Sequence, residues 1–243
     1  MNLIVDAGNT AVKIAVFEGF EFIFKEVFVI DEALNKIEEI LFKHPNIDKV
    51  ITSSVSQLNE VRLKKILKEI FWLVLDCKTK VPFVNLYKTP TTLGVDRIAL
   101  MSGAVTQYKN KNILVIDAGT CITYDFVNNK SEYFGGSIAP GLNLRYKSLA
   151  DYTAKLPLLK PKYPPNLIGD STNNAIHAGV CNGIIQEMNG VIEQFSNKYE
   201  ELVVILTGGD AIFLSERLKS GIFVDQNFLL HGLNYILEYT IDK

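Results

Sequence analysis

Apolar blocks with the composition of strands alternate with helical periodicities along the first half of the chain. Two stretches with apolar residues at helical spacing, around 31–41 and 58–70, predict helices, and Asp31 is placed to cap the first. Five runs are typical of strands: 3–5, 11–17, 21–29, 49–53 and 71–75. The predicted order is therefore βββαβα followed by a strand.

The second half repeats this order after a connecting stretch at 81–93 and a helix of small residues that begins near Gly94. The further predicted elements are strands at 113–117, 123–127 and 131–138, a helix at 142–150, a long helix from Ser171 or Thr172 to about 195, a strand at 203–206 and a last helix at about 227–239. Two units with one element order predict a duplicated α/β fold. We expect two domains, at residues 1–110 and 111–243, that face one another across a cleft.

One motif opens both predicted domains, as Asp-Ala-Gly-Asn-Thr at 6–10 and Asp-Ala-Gly-Thr at 117–120. In each, an apolar strand delivers an aspartate to a glycine turn, where the backbone can come close to a ligand. Backbone N–H groups and the Asn and Thr side chains suit phosphate oxygens. Asp6 and Asp117 would repel phosphate unless a cation such as Mg²⁺ lay between. One Asp-Gly turn is most simply structural, but the pair favours a phosphate and cation site.

A second motif, Gly-Val-Asp-Arg at 94–97, opens the helix of small residues. Asp96 can be a carboxylate that the helix dipole stabilises, with Arg97 in a surface salt bridge. Alternatively, Asp96 is a general base for a substrate hydroxyl and Arg97 holds an anionic substrate. The spacing alone does not decide between these interpretations.

Thr172 is most simply a helix cap, and Gly179 and Gly183 lie four residues apart on the helix that follows. This spacing favours a close helix contact, either internal or between subunits.

Composition excludes several classes of protein. The 48% of hydrophobic residues suffices for buried cores, and the net charge of −2 argues against a nucleic-acid-binding protein. Neither a signal segment nor an apolar stretch of membrane-spanning length is visible, so we expect no membrane partner. The three cysteines are scattered, which favours a reducing cytoplasm, and the three histidines are dispersed and are interpreted as structural or solvated.

With these motifs in this order, the chain resembles type III pantothenate kinases, bacterial enzymes of the acetate and sugar kinase, heat-shock chaperone and actin superfamily. The twin aspartate loops are typical of the whole superfamily. Gly-Val-Asp-Arg at 94–97 and Gly-Gly-Ser-Ile-Ala-Pro-Gly-Leu at 135–142 are more specific, and Ser-Thr at 171–172 and Thr-Gly-Gly at 207–209 complete the series.

The resemblance implies two ribonuclease H-like domains of the actin-like ATPase type and ATP-dependent phosphorylation of pantothenate, the first step of coenzyme A synthesis. Asp96 would be the proton acceptor, and Asp117 would ligate a monovalent cation, K⁺ or NH₄⁺. The residues implied to hold ATP, with Mg²⁺ near Asp6, are Asp6, Ala7, Gly8, Asn9, Thr10, Ala11, Val12, Lys13 and Thr120. Those implied to contact pantothenate are Tyr87, Gly94, Val95, Asp96, Arg97 and Thr172, the last reaching the neighbouring site of a homodimer.

Two residues depart from the usual family pattern, Cys121 after the second loop and Asp170 before Ser171. Neither removes an implied role. Two other functions are weighed against the pantothenate kinase: a kinase of the same superfamily that acts on a sugar or a short acid, and a nucleotide-binding regulatory protein without turnover. Gly-Val-Asp-Arg argues against the first, and the presence together of Asp6, Asp96 and Asp117 argues against the second.

Overall fold

The computed structural model describes residues 1–8, 11–54, 58–219 and 221–241. The chain divides into two compact units. Unit 1 contains Met1–Gln107 together with the segment that begins at Phe228, and unit 2 is Tyr108–Asn227.

Unit 1 is built on a five-stranded sheet of order β3-β2-β1-β4-β5. The first three strands are antiparallel neighbours, whereas β4 runs parallel to both β1 and β5. β1 is central because its apolar residues Leu3, Ile4 and Val5 are buried on both faces of the sheet. The strands of this unit are β1 (Asn2–Ala7), β2 (Val12–Glu18), β3 (Glu21–Phe28), β4 (Lys49–Thr52), β5 (Phe71–Val74) and the short β6 (Val84–Asn85).

The helices of unit 1 before residue 108 are α1 (Ile30–Lys43), α2 (Glu60–Ile66) and α3 (Val95–Gln107), with a 3₁₀ turn at Pro90–Thr92. Two predictions need correction. Asp31 does not cap α1, since Val29 holds that position and Asp31 lies in the first turn. The second predicted helix is shorter than 58–70: Asn59 caps it by accepting a hydrogen bond from the Arg62 N–H at 3.0 Å.

Unit 2 repeats the topology of unit 1. Its strands are β7 (Ile113–Ala118), β8 (Cys121–Val127), β9 (Glu132–Pro140), β10 (Val203–Thr207) and β11 (Ile222–Val224). They run in the order β9-β8-β7-β10-β11. β7 pairs antiparallel with β8 and parallel with β10, as β1 does with β2 and β4. This match confirms the predicted duplicated α/β fold.

The helices of unit 2 cover one face of this sheet. They are α4 (Leu142–Asp151), α5 (Thr172–His177), α6 (Gly183–Lys198) and α7 (Ala211–Ser215). The predicted long helix is present as α5 and α6, joined by a π-helical turn at Ala178–Asn182. Ile116 and Ala118 of β7 and Ile184 and Met188 of α6 are in one buried cluster, which places the core of the unit on this face.

The last helix, α8 (Phe228–Ile241), packs in unit 1, whereas the division predicted at 110 assigned it to the second domain. Its backbone touches that of α3, because a Cβ atom on Gly232 would lie 2.0 Å from the Ala99 carbonyl oxygen. Asn234 adds hydrogen bonds: its side-chain N–H donates to the Gly19 carbonyl at 2.8 Å, and its oxygen accepts from Asn2 at 2.7 Å. Among the described residues, no helix is both long and apolar enough to cross a membrane.

Candidate active site

The first aspartate loop begins at Asp6, near the carboxyl end of β1. The Ser53 hydroxyl donates to Asp6 Oδ1 at 2.9 Å and accepts from the Ala7 N–H at 3.1 Å. Lys13 Nζ lies 3.6 Å from Asp6 Oδ2. The Asp6 side chain is buried and held in one orientation, with a positive charge beside it.

The turn after Asp6 is closed by a hydrogen bond from the Gly8 N–H to the Ala11 carbonyl at 3.1 Å. A Cβ atom on Gly8 would approach that carbonyl to 3.2 Å, so the turn is tight at this point. Val12 follows as a fully buried residue that anchors β2. Asn9 and Thr10, which are also expected to contact phosphate, lie outside the described residues.

Ser53 is the residue of this loop that the sequence interpretation missed. It directly follows β4, and its N–H donates to the Val5 carbonyl at 2.9 Å. β4 is the parallel neighbour of β1, so the carboxyl ends of the two strands share one sheet edge. A short polar residue at the end of a predicted strand, here the run 49–53, is therefore a signal that could have identified it.

The Gly-Val-Asp-Arg motif forms the start of α3, with Val95 as the first helical residue. Asp96 is exposed, and its Oδ1 accepts a hydrogen bond from the Arg97 N–H at 2.8 Å. A Cβ atom on Gly94 would lie 2.3 Å from that same oxygen, so glycine is needed there for the Asp96 side chain to take this position.

Arg97, unlike Asp96, is buried. Only 5% of Arg97 is exposed, which makes the surface salt bridge considered for it wrong. Its guanidinium carbon lies 5.5 Å from the centre of the Tyr87 ring, within the range of a cation–π contact. The structure thus brings together Tyr87, Asp96 and Arg97, three of the residues expected to contact the phosphoryl acceptor.

The second aspartate loop follows the central strand of unit 2. Asp117 lies in register between Thr123 of β8 and Thr207 of β10. Gly208 packs against it with a φ of 96°, and a Cβ atom there would lie 2.5 Å from Asp117 Oδ1. Thr120 is exposed at the end of the loop, available to a ligand. The backbone N–H of Asp210 donates to the Ala118 carbonyl at 2.9 Å. Burial raises the pKa of the Asp210 carboxyl.

The Gly-Gly-Ser-Ile-Ala-Pro-Gly-Leu motif supports this second loop. The Gly141 N–H donates to the Thr120 carbonyl at 3.0 Å, and a Cβ atom on Gly141 would lie 2.1 Å from the Gly119 carbonyl oxygen. Arg145 Nε donates to the Pro140 carbonyl at 2.8 Å and forms an ion pair with Glu187 at 2.7 Å. The glycine is therefore needed because the motif lies directly against the loop backbone.

Thr172 is exposed at the start of α5 but is not its cap. Ser171 caps the helix by accepting from the Asn174 N–H at 3.3 Å, which corrects the interpretation of Thr172. The unusual Asp170 accepts from the Asn174 side chain at 2.7 Å. The substrate contact expected of Thr172 would involve a neighbouring subunit and stays a prediction.

An apolar groove of about 590 Å³ lies beside Thr172 in unit 2. It is lined mainly by α4, α5 and the π-helical turn, through Arg145, Ser148, Leu149, Leu156, Thr172, Ala175, Ile176, Gly179 and Val180. No described atom outside their own helix lies within 4 Å of the Cβ positions of Gly179 and Gly183. The internal helix contact considered for these glycines is therefore wrong, and the contact between subunits stays a prediction.

The histidines and cysteines of the described chain have structural surroundings. His44 and His231 lie against Phe24 and Phe17, and the Tyr146 hydroxyl contacts His177 Nδ1 at 2.8 Å. The cysteines are unpaired thiols. Burial raises the pKa of Cys181, which disfavours the reactive thiolate.

The sequence of the whole chain agrees with one family. A family profile for type III pantothenate kinase matches residues 2–194. The chain belongs to the type III pantothenate kinase family. A type III pantothenate kinase of Christiangramia forsetii is 48% identical over 240 residues, covering 99% of each chain. That of Flavobacterium johnsoniae is 46% identical over the full length of both chains, 243 residues.

Solved structures confirm the fold of this pantothenate kinase family member. A Campylobacter jejuni protein assigned to the Baf family of transcriptional activators superposes with a TM-score of 0.66, at 22% identity and coverage of 99% and 100% of the two chains. Glucokinase from an Antarctic psychrotroph superposes with a TM-score of 0.55, at 13% identity and 98% coverage of each chain. At these identities the likeness concerns the fold alone, which is the duplicated ribonuclease H-like fold of sugar kinases and actin-like ATPases.

Proposed function

We propose that this chain transfers the γ-phosphoryl group of ATP to the primary hydroxyl of pantothenate, as the first step of coenzyme A synthesis. The observation that carries the proposal is the start of α3, where an exposed Asp96 directly precedes a buried Arg97. These side chains supply a proton acceptor and an anion-binding group within one helical turn. The match to type III pantothenate kinases over residues 2–194 supports pantothenate as the acceptor.

On the acceptor side, Asp96 takes the proton of the attacking hydroxyl and orients its oxygen towards phosphorus. Arg97 binds the pantothenate carboxylate, and the Tyr87 ring at 5.5 Å restrains the guanidinium. Gly94 and Val95 present the backbone of the helix start to the substrate. Positioning is the main contribution here, since phosphoryl transfer needs little covalent assistance from the protein.

On the ATP side, the loop from Asp6 to Lys13 binds phosphate oxygens together with Thr120. Mg²⁺ fits beside Asp6, because that carboxylate is fixed by Ser53 at 2.9 Å and can hold the ion through water or phosphate. The bound ion would neutralise charge on the transferring phosphoryl group. Lys13 adds a second positive charge to the same loop.

A monovalent cation, K⁺ or NH₄⁺, fits at Asp117. A carboxylate flanked by threonines on both neighbouring strands offers the oxygen donors that such ions accept. The close approach of Gly208 leaves no side chain in that part of the site. When bound, the ion adds positive charge next to the second phosphate loop.

The active form is a homodimer in which Thr172 contacts the substrate of the neighbouring subunit. The apolar groove beside Thr172 and the open space at Gly179 and Gly183 support a second copy as its occupant. Glycines on an exposed helix face allow another helix to approach closely. A cytoplasmic location accords with the unpaired thiols.

The Gly179→Arg variant tests the dimer. Because the Cβ position is open, we expect the arginine to leave the subunit folded while it blocks the second copy. Sedimentation velocity should then report a monomer, and the ADP-release assay should show that turnover is lost. Gly190→Arg, on α6 and equally open, is the matched control and should stay dimeric. If both variants sediment like the unmodified chain, the groove is not the dimer interface.

The function itself is tested by ADP release from ATP and Mg²⁺ with pantothenate, in K⁺ and then in Na⁺. We expect turnover that depends on pantothenate and is faster in K⁺. A panel of sugars and short acids run beside it tests the other kinase function. ATP binding without turnover of any acceptor would exclude the kinase and support the regulatory function.

A further inference from the structure

The hydroxyl oxygen of Thr123 is buried without a hydrogen-bond partner among the described atoms. It is the only buried side-chain N or O atom of the described chain with this property. A buried hydroxyl that loses its bonds to water without replacing them is unfavourable. Native proteins keep such a group mainly where a water, an ion or a functional requirement accounts for it.

The position of Thr123 points to an ion. Thr123 is the direct cross-strand neighbour of Asp117, so the two side chains lie on the same face of the sheet. Ile116 and Ile122, the residues beside them on β7 and β8, belong to the hydrophobic core on the other face. The Thr123 hydroxyl thus lies next to the carboxylate where the monovalent cation is proposed.

The Thr123 hydroxyl makes no hydrogen bond to the Asp117 carboxylate, although the two residues are direct cross-strand neighbours. The Cβ atoms of a directly opposed pair are about 4.5–5.5 Å apart, close enough for a threonine hydroxyl to bond to a carboxylate. The Thr123 hydroxyl nevertheless makes no hydrogen bond among the described atoms. This arrangement of the Thr123 hydroxyl beside the Asp117 carboxylate favours a bound group that contacts both oxygens. A cation does so, since a hydroxyl and a carboxylate both present lone pairs to it.

We propose that Thr123 Oγ1 is a direct ligand of the monovalent cation, together with Asp117. The inference rests on the proposed cation site and adds to it a neutral oxygen donor from the adjacent strand. A neutral donor contributes coordination without adding negative charge, which suits an ion of single charge. The bound ion would give the hydroxyl oxygen the partner that it lacks among the described atoms.

The test measures cation binding through stability. The thermal unfolding midpoint is recorded against KCl, with choline chloride holding the ionic strength constant, for the unmodified chain and for Thr123→Val and Thr123→Ser. Because a ligand of the folded state raises the midpoint, the titration reports cation affinity without turnover. We expect Thr123→Val to need a K⁺ concentration at least about tenfold higher for the same rise of the unfolding midpoint. Losses of metal affinity of this size are typical when a residue that supports a metal site is replaced. Thr123→Ser keeps the oxygen and should respond like the unmodified chain.

Thr52→Val is the matched control, since Thr52 is also buried in a strand but its hydroxyl accepts from Trp72 Nε1 at 3.2 Å. It should lower the midpoint at every salt composition and leave the K⁺ response unchanged. In choline alone, Thr123→Val should be at least as stable as the unmodified chain, because it removes an unsatisfied hydroxyl.

The outcomes separate this inference from the function on which it rests. If the unmodified chain responds to K⁺ and Asp117→Asn does not, while Thr123→Val keeps the full response, then Thr123 is no ligand and the inference is overturned alone. If the unmodified chain shows neither a K⁺-specific shift nor faster turnover in K⁺, the cation site itself is overturned, and Thr123 as its ligand with it.

Discussion

The Asp96→Asn variant is expected to lose roughly a thousandfold in kcat, within the range that general acid–base groups contribute. Asparagine cannot accept the proton of the pantothenate hydroxyl. Its Oδ1 can still accept from the Arg97 N–H, as Asp96 does at 2.8 Å, so the start of α3 should be retained. Steady-state kinetics measure the loss, and calorimetric titration with ATP checks that nucleotide binding is kept.

Asp31→Asn is the control for this change. Asp31 is also exposed and also lies in the first turn of a helix, so it has the same interaction with a helix dipole. It should leave kcat unaltered. A kcat for Asp96→Asn within about tenfold of the unmodified chain would be too high for a lost general base and would remove Asp96 from that role.

The Asp6→Asn variant is expected to lose about 100- to 1000-fold in kcat, as found when one group that stabilises transition-state charge is removed. Asparagine can accept from Ser53 but cannot offer a negative charge to Mg²⁺. We therefore expect the Mg²⁺ concentration for half-maximal rate to rise as well, which a Mg²⁺ titration of the initial rate measures.

Ser53→Ala separates orientation from charge in the same loop. It keeps the Asp6 carboxylate and removes the hydrogen bond of 2.9 Å that orients it. Its loss of kcat should be much smaller than that of Asp6→Asn, and its Mg²⁺ dependence close to that of the unmodified chain. If Asp6→Asn showed an unchanged Mg²⁺ dependence, the ion would not be held near Asp6.

The duplicated architecture could be predicted because both units open with a strand, an aspartate and a glycine turn, and because strands with β-branched residues give a clear signal. The element that could not be assigned is α8. Its apolar periodicity predicts a helix, but the choice of unit depends on the Gly232 backbone meeting Ala99, 133 positions earlier in the chain. β11 is three residues long and too short to give a periodic signal.

The candidate site was predictable where its residues are contiguous. Asp96 and Arg97 occur in one motif, yet only the fold shows that the first is exposed and the second buried. Ser53 was missed because its contact with Asp6 joins two strands 47 residues apart. For Thr123, the pattern placed the residue on a strand, but a missing hydrogen bond is visible only in coordinates.

The return of α8 to unit 1 imposes an order on folding during synthesis. Unit 2 is one uninterrupted segment, Tyr108–Asn227, and every residue of its core has been translated before α8 is made. Unit 1 is interrupted by unit 2. The contact between the backbone of α3 and Gly232 of α8 can therefore form only after the rest of the chain has been made. The packing around the helix that bears Asp96 is therefore completed by the last segment of the chain to be synthesised.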